Sequence, residues 1–186
     1  LKVSNLNQSA VEHIEKQLNQ LASEGFRVLG VGEVITSVEK FPEIQQDLKF
    51  EFLGLIAFYD PPKENISKVF EDFYSAGLQV KIITGDNAVT TGEIARQINF
   101  KNSGKSMDGE ELLKLSEEEL KEKVKTINIF TRMFPEAKLK IINALKANNE
   151  IVAMTGDGVN DGPALKAAHI GIAMGKKGSE IAKKAA

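Results

Sequence analysis

The chain has 186 residues, a length that allows one good-sized hydrophobic core, or one domain and part of another. Its 24 Lys and Arg residues nearly balance its 26 Asp and Glu residues, which disfavours binding to nucleic acid or to an acidic membrane surface. The absence of Cys excludes disulfides, a thiolate nucleophile and a Cys-ligated metal, and is consistent with a reducing, cytosolic compartment. The longest apolar run, residues 52–59, is far shorter than the roughly 20 residues that span a bilayer, so no transmembrane segment is predicted.

A helix and two strands are predicted at the start of the chain. Ser9 opens a capping-box pattern, apolar residues follow it at helical spacing, and Gly25 stands where a glycine ends a helix. The apolar stretches 26–35 and 50–58 predict strands. Arg27 is the cation in the first of them, and it is either a snorkelling surface residue or a functional one.

A domain boundary is predicted at the sequence Asp-Pro-Pro-Lys of residues 60–63, because two prolines end a strand abruptly. Apolar residues at helical spacing in 66–77 predict a helix that packs on the core. A strand over 79–83 then ends in Thr-Gly-Asp-Asn, residues 84–87, and a helix over 88–98 follows.

The next part of the chain contains polar helices, a short strand and a further helix. Residues 99–126 predict solvated helices, and residues 127–131 predict a strand. Pro135 opens a helix with Lys138 in its first turn, so the Lys138 side chain could place a cation near the carboxyl ends of the strands. The alternative is that Lys138 is one of many surface lysines.

Strand, acidic loop and helix follow one another in residues 150–166. Asp157, Asn160 and Asp161 come after the predicted strand 151–154, where ligands bind in open α/β sheets. Mg²⁺ prefers oxygen ligands and is commonly held by one or two carboxylates together with a substrate phosphate. The alternative is an Asp that caps a helix or forms an Asx-turn. Because Thr84 follows a strand in the same way, the two strands are predicted to be parallel neighbours.

Several strings of the sequence resemble a known family. Thr84, Lys138, Asp157 and Asp161 occur in the order of the last three motifs of haloacid dehalogenase-type phosphotransferases. The strings DPPK, TGDN, TRMFPEAKLKIINALK and MTGDGVNDGPALKAAHIGIAMG resemble the cytosolic part of P-type cation-transporting ATPases. The similarity runs from about Gly25 to the end, and it is nearest to the type II, bacterial calcium-pump branch.

This resemblance implies a fold and a division into domains. The expected fold is an α/β, haloacid dehalogenase-like (Rossmann-like) parallel sheet with helices on both faces. Residues 1–58 would be the C-terminal part of a nucleotide-binding domain. Residues 59–186 would be a phosphorylation domain, with Asp60 at the hinge between the two.

The resemblance also implies roles for individual residues. The metal ligands for Mg²⁺ would be Asp157 and Asp161, and the catalytic residues would be Thr84, Lys138 and Asp161. Lys138 would neutralise the transferred phosphoryl group, and Thr84 would donate a hydrogen bond to it. The residues that would contact ATP or its phosphates are Arg27, Thr84, Gly85, Asp86, Lys138 and Asn160.

The implied function is that of the cytosolic part of an ATP-driven cation pump. The full-length protein would use ATP and Mg²⁺, transport a cation, with calcium expected, and join this segment to a membrane domain of the same polypeptide. The segment itself would lie at the cytosolic face of a membrane, and no nucleic acid is expected as a partner.

One departure from the family concerns its nucleophile, an Asp in the string DKTGT. No Asp of this chain is followed by Lys-Thr-Gly, so the isolated chain is predicted to be inactive and is expected to be a piece of a longer pump. Without the strand that carries the nucleophile, two sheet edges are expected to be unpaired. The alternatives are a stand-alone haloacid dehalogenase-like phosphatase, which would need an Asp-x-Asp motif that is absent, and a non-catalytic binding module.

Overall fold

The structure is a computed structural model that describes residues 4, 6–34, 42–44, 47–176 and 178–186. The chain divides into two compact units, Leu1–Lys63 and Glu64–Ala186. The division falls within a few residues of the double proline. The assignment of the units to a nucleotide-binding and a phosphorylation domain stays a prediction.

The first unit begins with helix α1, Gln8–Ser23. The side chain of Asn7 accepts a hydrogen bond from the Ala10 amide at 2.8 Å and caps the helix. The predicted cap at Ser9 is therefore wrong, because Asn7 is an equally good capping residue two positions earlier and leaves Ser9 inside the first turn. Gly25 has φ of 88° and ends the helix as predicted.

Two antiparallel strands complete the first unit. Strand β1, Arg27–Glu33, pairs with β2, Glu51–Phe58, so that Arg27 lies opposite Phe58, and the register shifts between Val31 and Gly32. Both predicted strands are thus confirmed, except that position 35 of the first prediction lies outside the described residues.

The second unit contains two parallel sheets. In the first sheet, β3 (Ile82–Ile83) and β4 (Ser106–Asp108) both pair with the central β5 (Ile129–Thr131). In the second sheet, β6 (Ala153–Gly156) pairs with β7 (Ile170–Ala173).

Helices connect these strands and confirm the predicted α/β class with parallel strands. An α-helix follows or precedes each strand of the unit, and a short 3-10 helix, Val159–Asp161, follows β6. The α-helices are α2 (Ile66–Ser75), α3 (Ala88–Gln97), α4 (Gly109–Leu112), α5 (Glu117–Thr126), α6 (Pro135–Ala147), α7 (Gly162–Ala167) and α8 (Glu180–Ala185).

Three clusters of buried side chains hold the second unit together. Phe130 and Ile141 are fully buried in the cluster that joins β5 to α5 and α6. Leu165 is buried in a second cluster with Met154 of β6 and Ala182 of α8. Ala95 of α3 lies in a third cluster, which includes Ile129 of β5. Phe73 of α2 is 42% exposed, so the predicted apolar stripe of this helix is only partly core.

The sheet pairing differs from the sequence prediction in two respects. The strands before Thr84 and Asp157 were predicted to be neighbours, but β3 pairs with β5 and β6 pairs with β7. Among the described residues, β3 and β6 each pair with one strand only, which leaves an edge on each. Strand β4 was not predicted, because its three residues Ser-Met-Asp are too short to show an alternating pattern.

Candidate functional site

The candidate residues of the second unit lie in the segments that follow the carboxyl ends of the parallel strands. Thr84 follows β3, and Asp157 follows β6. Lys138 lies in the first turn of α6, the helix after β5. Parallel strands present these ends on one side of a sheet, which is where α/β proteins bind their ligands.

The Thr84 loop is ordered by hydrogen bonds to the end of β5. The Thr84 amide donates to the Phe130 carbonyl, and the Thr84 carbonyl accepts from the Met133 amide, both at 2.9 Å. The Thr84 hydroxyl accepts from the Asp86 amide at 3.1 Å and lies 3.3 Å from Asp86 Oδ2. Asn87 then caps α3 through the Thr90 amide. Thr84 and Asp86 are half-buried, whereas Gly85 is exposed.

A buried ion pair connects α6 to the loop after β6. Lys138 Nζ lies 2.6 Å from Asp161 Oδ1, and the two side chains are 14% and 10% exposed. Pro135 at the start of α6 places Lys138 one turn into the helix, and its side chain reaches the neighbouring loop. The other oxygen of Asp161, Oδ2, accepts from the Gly158 amide at 3.1 Å.

The close approach of the Asp161 side chain explains Gly156, the last residue of β6. A Cβ atom at Gly156 would lie 2.7 Å from the Cβ atom of Asp161, a separation that real side chains do not show. Only glycine therefore allows the Asp161 carboxylate to fold over the loop and meet Lys138.

Two further candidates, Asp157 and Asn160, are exposed on the same loop. The Asp157 carbonyl accepts from the Ser179 amide at 2.8 Å, which ties the loop to the start of α8. The described residues include no cluster of three or more His, Cys, Asp or Glu side chains that could hold a metal by themselves. Such a sparse donor set fits Mg²⁺, which keeps several waters and takes one or two carboxylates with a phosphate.

The remaining candidate, Arg27, belongs to the first unit. It is exposed at the start of β1. Its predicted contact with ATP stays a prediction. The structure thus brings Lys138 and Asp161 into direct contact and links the Thr84 loop to α6 through the backbone of Met133, while the chemical roles of these residues stay predictions.

The sequence prediction did not include Arg132, which follows β5 directly. Arg132 has φ of 51°, and its amide donates to the Asp86 carbonyl at 2.9 Å. No sequence signal marks this position, because Arg is not among the residues enriched in the left-handed region.

Comparison with known proteins identifies a family that the chain matches. The profile of the haloacid dehalogenase-like hydrolase family matches residues 5–169. The chain is 41% identical over 173 residues to a calcium-transporting ATPase of Bacillus subtilis (strain 168), covering 92% of this chain and 19% of that protein. It is 37% identical over 188 residues to calcium-transporting ATPase 1 of Saccharomyces cerevisiae, covering 99% of this chain and 20% of that protein.

A mammalian calcium-transporting ATPase is likewise similar to nearly the whole chain. Calcium-transporting ATPase type 2C member 1 of Bos taurus is 36% identical over 182 residues, which are 97% of this chain and 18% of that protein. The chain therefore spans about one fifth of the length of these relatives. No helix in the described part of the chain has both the length and the apolar character that a membrane crossing requires.

The parallel α/β fold, the acidic loop after β6 and the match over residues 5–169 together show that this chain belongs to the haloacid dehalogenase-like hydrolase family and that its relatives include calcium-transporting ATPases.

Proposed function

We propose that this chain is the part of an ATP-driven, P-type cation pump that holds the phosphoryl group and its Mg²⁺ during phosphoryl transfer. The observation that carries the proposal is the ion pair between Lys138 and Asp161, which keeps a cation in place, largely withdrawn from solvent, against the loop that also carries the exposed Asp157. The relatives named calcium-transporting ATPases support a pump, with calcium as the transported cation.

Lys138 would neutralise charge on the phosphoryl oxygens. In phosphoryl transfer most of the catalysis comes from cations and hydrogen-bond donors that are already in position, because the transferred group carries its charge on equatorial oxygens. Asp161 holds the Lys138 ammonium group at 2.6 Å, so the cation does not need to be ordered when the substrate arrives. The hydroxyl of Thr84 would donate a second hydrogen bond to the same group.

Asp157 and Asp161 would hold Mg²⁺ together with waters and phosphate oxygens. When bound, the metal ion would supply positive charge against the phosphoryl oxygens. Asp157 is the better direct ligand, since its carboxylate is exposed while both oxygens of Asp161 already accept from Lys138 and Gly158. Asp161 would then act chiefly by holding Lys138.

The phosphate acceptor would come from elsewhere in the full-length protein. A carboxylate oxygen of that acceptor would attack the γ-phosphorus of ATP, the bond to the ADP oxygen would break, and an acyl phosphate would form. We expect the acceptor on a strand that pairs with the second edge of β3 or β6, since each has one partner among the described strands.

The remaining contacts complete the proposal. Gly85, Asp86 and Asn160 would line the phosphate side of the nucleotide, and Arg27, in the unit Leu1–Lys63, would contact ATP as part of a nucleotide-binding domain. The chain would lie at the cytosolic face of a membrane and connect to a membrane domain of the same polypeptide.

The decisive experiment measures phosphoenzyme formation from radiolabelled ATP in the complete protein that carries this chain. Lys138→Ala and Asp157→Ala should each abolish the acid-stable, hydroxylamine-sensitive phosphoenzyme. Lys140→Ala is the matched control, because Lys140 lies on the same helix, its side chain is 41% exposed, and it forms an ion pair with the exposed Glu136 at 3.7 Å. Undiminished phosphorylation in Lys138→Ala and Asp157→Ala would refute the assigned roles.

A second measurement concerns the chain by itself. The isolated chain should release no phosphate from ATP in the presence of Mg²⁺, because it lacks an acceptor Asp followed by Lys-Thr-Gly. Steady Mg²⁺-dependent phosphate release from the pure chain would contradict this and favour a stand-alone phosphatase.

A further inference from the structure

Gly109 occupies a position next to the candidate site where no other residue fits. It is buried, it is the first residue of α4, and it follows β4 directly. A Cβ atom at Gly109 would overlap the carbonyl oxygen of Arg132 and lie 3.2 Å from its carbonyl carbon. The clash would be with backbone atoms, which cannot swing aside as the end of a side chain can. The turn between β4 and α4 therefore packs directly on the backbone at Arg132.

The backbone at Arg132 has a conformation that L-residues rarely adopt. Its φ of 51° lies in the left-handed region, although Arg has no short polar side chain to favour it. Strand pairing brings the two positions together, since Asp108 lies opposite Thr131 in the ladder of β4 and β5. Gly109 follows Asp108 and Arg132 follows Thr131, so these two residues meet at the end of the ladder.

The left-handed backbone at Arg132 is hydrogen-bonded to the Thr84–Asp86 loop. Its amide donates to the Asp86 carbonyl, and the next amide, that of Met133, donates to the Thr84 carbonyl, both at 2.9 Å. Arg132 and Met133 are thus in contact with Gly109 on one side and with the Thr84 loop on the other. Two residues later, Pro135 begins the helix that carries Lys138.

We propose that Gly109 is a positioning residue for this site: by allowing the turn after β4 to lie against Arg132, it keeps Arg132 in the left-handed conformation that aims two amides at the Thr84–Asp86 loop. The proposal deepens the proposed function, and it rests on that function for the identity of the phosphate ligand. Gly109 touches no substrate and acts through the backbone of Arg132 and Met133.

Hydrogen exchange of the two amides tests this directly. In Gly109→Ala, the protection factors of the Arg132 and Met133 amides should fall about tenfold or more, because a methyl group displaces the Arg132 carbonyl. Gly104→Ala is the matched control, since a Cβ atom at Gly104 would have no neighbour within 4 Å in the described part of the chain. Val124→Ala, which creates a cavity in the core cluster that contains Phe130 and Met133, controls for a general loss of stability. Unchanged protection of both amides in Gly109→Ala would overturn the proposal.

A second pair of variants does not depend on the folding of Gly109→Ala. Arg132→Gly and Arg132→Val both remove the cation, but glycine tolerates φ of 51° and the β-branched valine does not. The Arg132 side chain is 64% exposed, so neither change opens the core. Protection of the Met133 amide should persist in Arg132→Gly and fall in Arg132→Val. Equal protection in the two variants would contradict the proposal.

Titration with inorganic phosphate in the presence of Mg²⁺ separates this inference from the proposed function. Gly109→Ala should bind phosphate about tenfold more weakly than the unaltered chain, the effect expected when a hydrogen bond that orders the Thr84–Asp86 loop is lost. Gly104→Ala should bind it normally. If the unaltered chain binds no phosphate at the Thr84 loop, the proposed function fails, while the exchange data still decide whether Gly109 positions that loop.

Discussion

Lys138 Nζ and Asp161 Oδ1 are 2.6 Å apart in a pair that is almost fully withdrawn from solvent. Lys138 belongs to the helix that follows β5, and Asp161 to the turn that follows β6. The pair therefore joins the carboxyl ends of two separate parallel sheets. Its geometry leaves little freedom for the ammonium group, which is the property that a phosphoryl site requires.

Removal of one member of this pair should destabilise the fold. We expect Lys138→Met to lower the free energy of unfolding by about 3 kcal/mol, at the low end for buried pairs because both side chains keep some exposure. The double variant with Asp161→Asn should lose less than Lys138→Met alone, since no charge is then left unpaired. Urea denaturation of the four proteins measures the coupling, and strict additivity would mean that the pair contributes nothing.

Gly156→Ala should disrupt the same pair from the other side. The new methyl group would meet the Cβ atom of Asp161, so we expect a loss of about 1 to 3 kcal/mol together with displacement of Asp161. Gly175→Ala serves as control, because a Cβ atom there meets no atom of the described residues within 4 Å. Thermal unfolding of both variants provides the comparison. Equal midpoints would show that the loop accommodates the methyl group.

Asp157→Ala should remove Mg²⁺ binding while leaving the stability of the fold almost unchanged. Because Asp157 is exposed, its removal should change the free energy of unfolding by less than about 0.5 kcal/mol. The same change should remove Mg²⁺ binding, measured by calorimetric titration in the presence of inorganic phosphate. Glu118→Ala removes an equal charge from an exposed position on α5 and should leave Mg²⁺ binding intact. A variant of Asp157 that binds Mg²⁺ normally would exclude this carboxylate as the ligand.

The start of α5 should contribute pH-dependent stability. The Ser116 amide and hydroxyl both donate to Glu119 at 2.9 Å, and these hydrogen bonds hold the pKa of the Glu119 carboxyl below its ordinary value. The contribution is therefore present above the unfolded pKa of about 4.5 and is lost as the pH falls through the lower folded pKa. Ser116→Ala should cost about 1 kcal/mol at neutral pH.

Glu119→Gln tests the pH part of that prediction. Glutamine keeps an acceptor for the Ser116 amide but does not titrate, so the stability of this variant should depend less on pH below 4.5 than that of the unaltered chain. Chemical denaturation at several pH values gives the two curves. Parallel curves would show that Glu119 makes no pH-dependent contribution.

The isolated chain should associate with itself as its concentration rises. Among the described strands, β3 and β6 each pair on one side only, and unpaired edges are templates for further strands. Ala153→Lys adds a charge at an exposed position of β6 and should weaken the association. Sedimentation velocity measures it, and a chain that stays monomeric at high concentration would count against exposed edges.

The sequence by itself determined the class of the fold and most of its elements. The glycine at position 25, the proline at 135 and the alternation of apolar strands with helical stripes predict structure through local sterics and periodicity, and the structure bears them out. The loop glycines and acidic residues after β6 likewise predict a site at the carboxyl end of a strand. Each of these signals depends on residues that are close together in the chain, so it can be interpreted without knowledge of the tertiary structure.

Only the tertiary structure decided which elements meet. Three contacts join residues that are far apart in the chain or follow different strands. They are the pairing of β3 with β5 rather than β6, the ion pair between Lys138 and Asp161, and the packing of Gly109 on the left-handed Arg132. No local pattern specifies such contacts, because each is favourable only when packing has already brought both partners together. Gly109 illustrates the reason: the glycine is required by the carbonyl of Arg132, 23 residues further along the chain, which leaves no room for a Cβ atom.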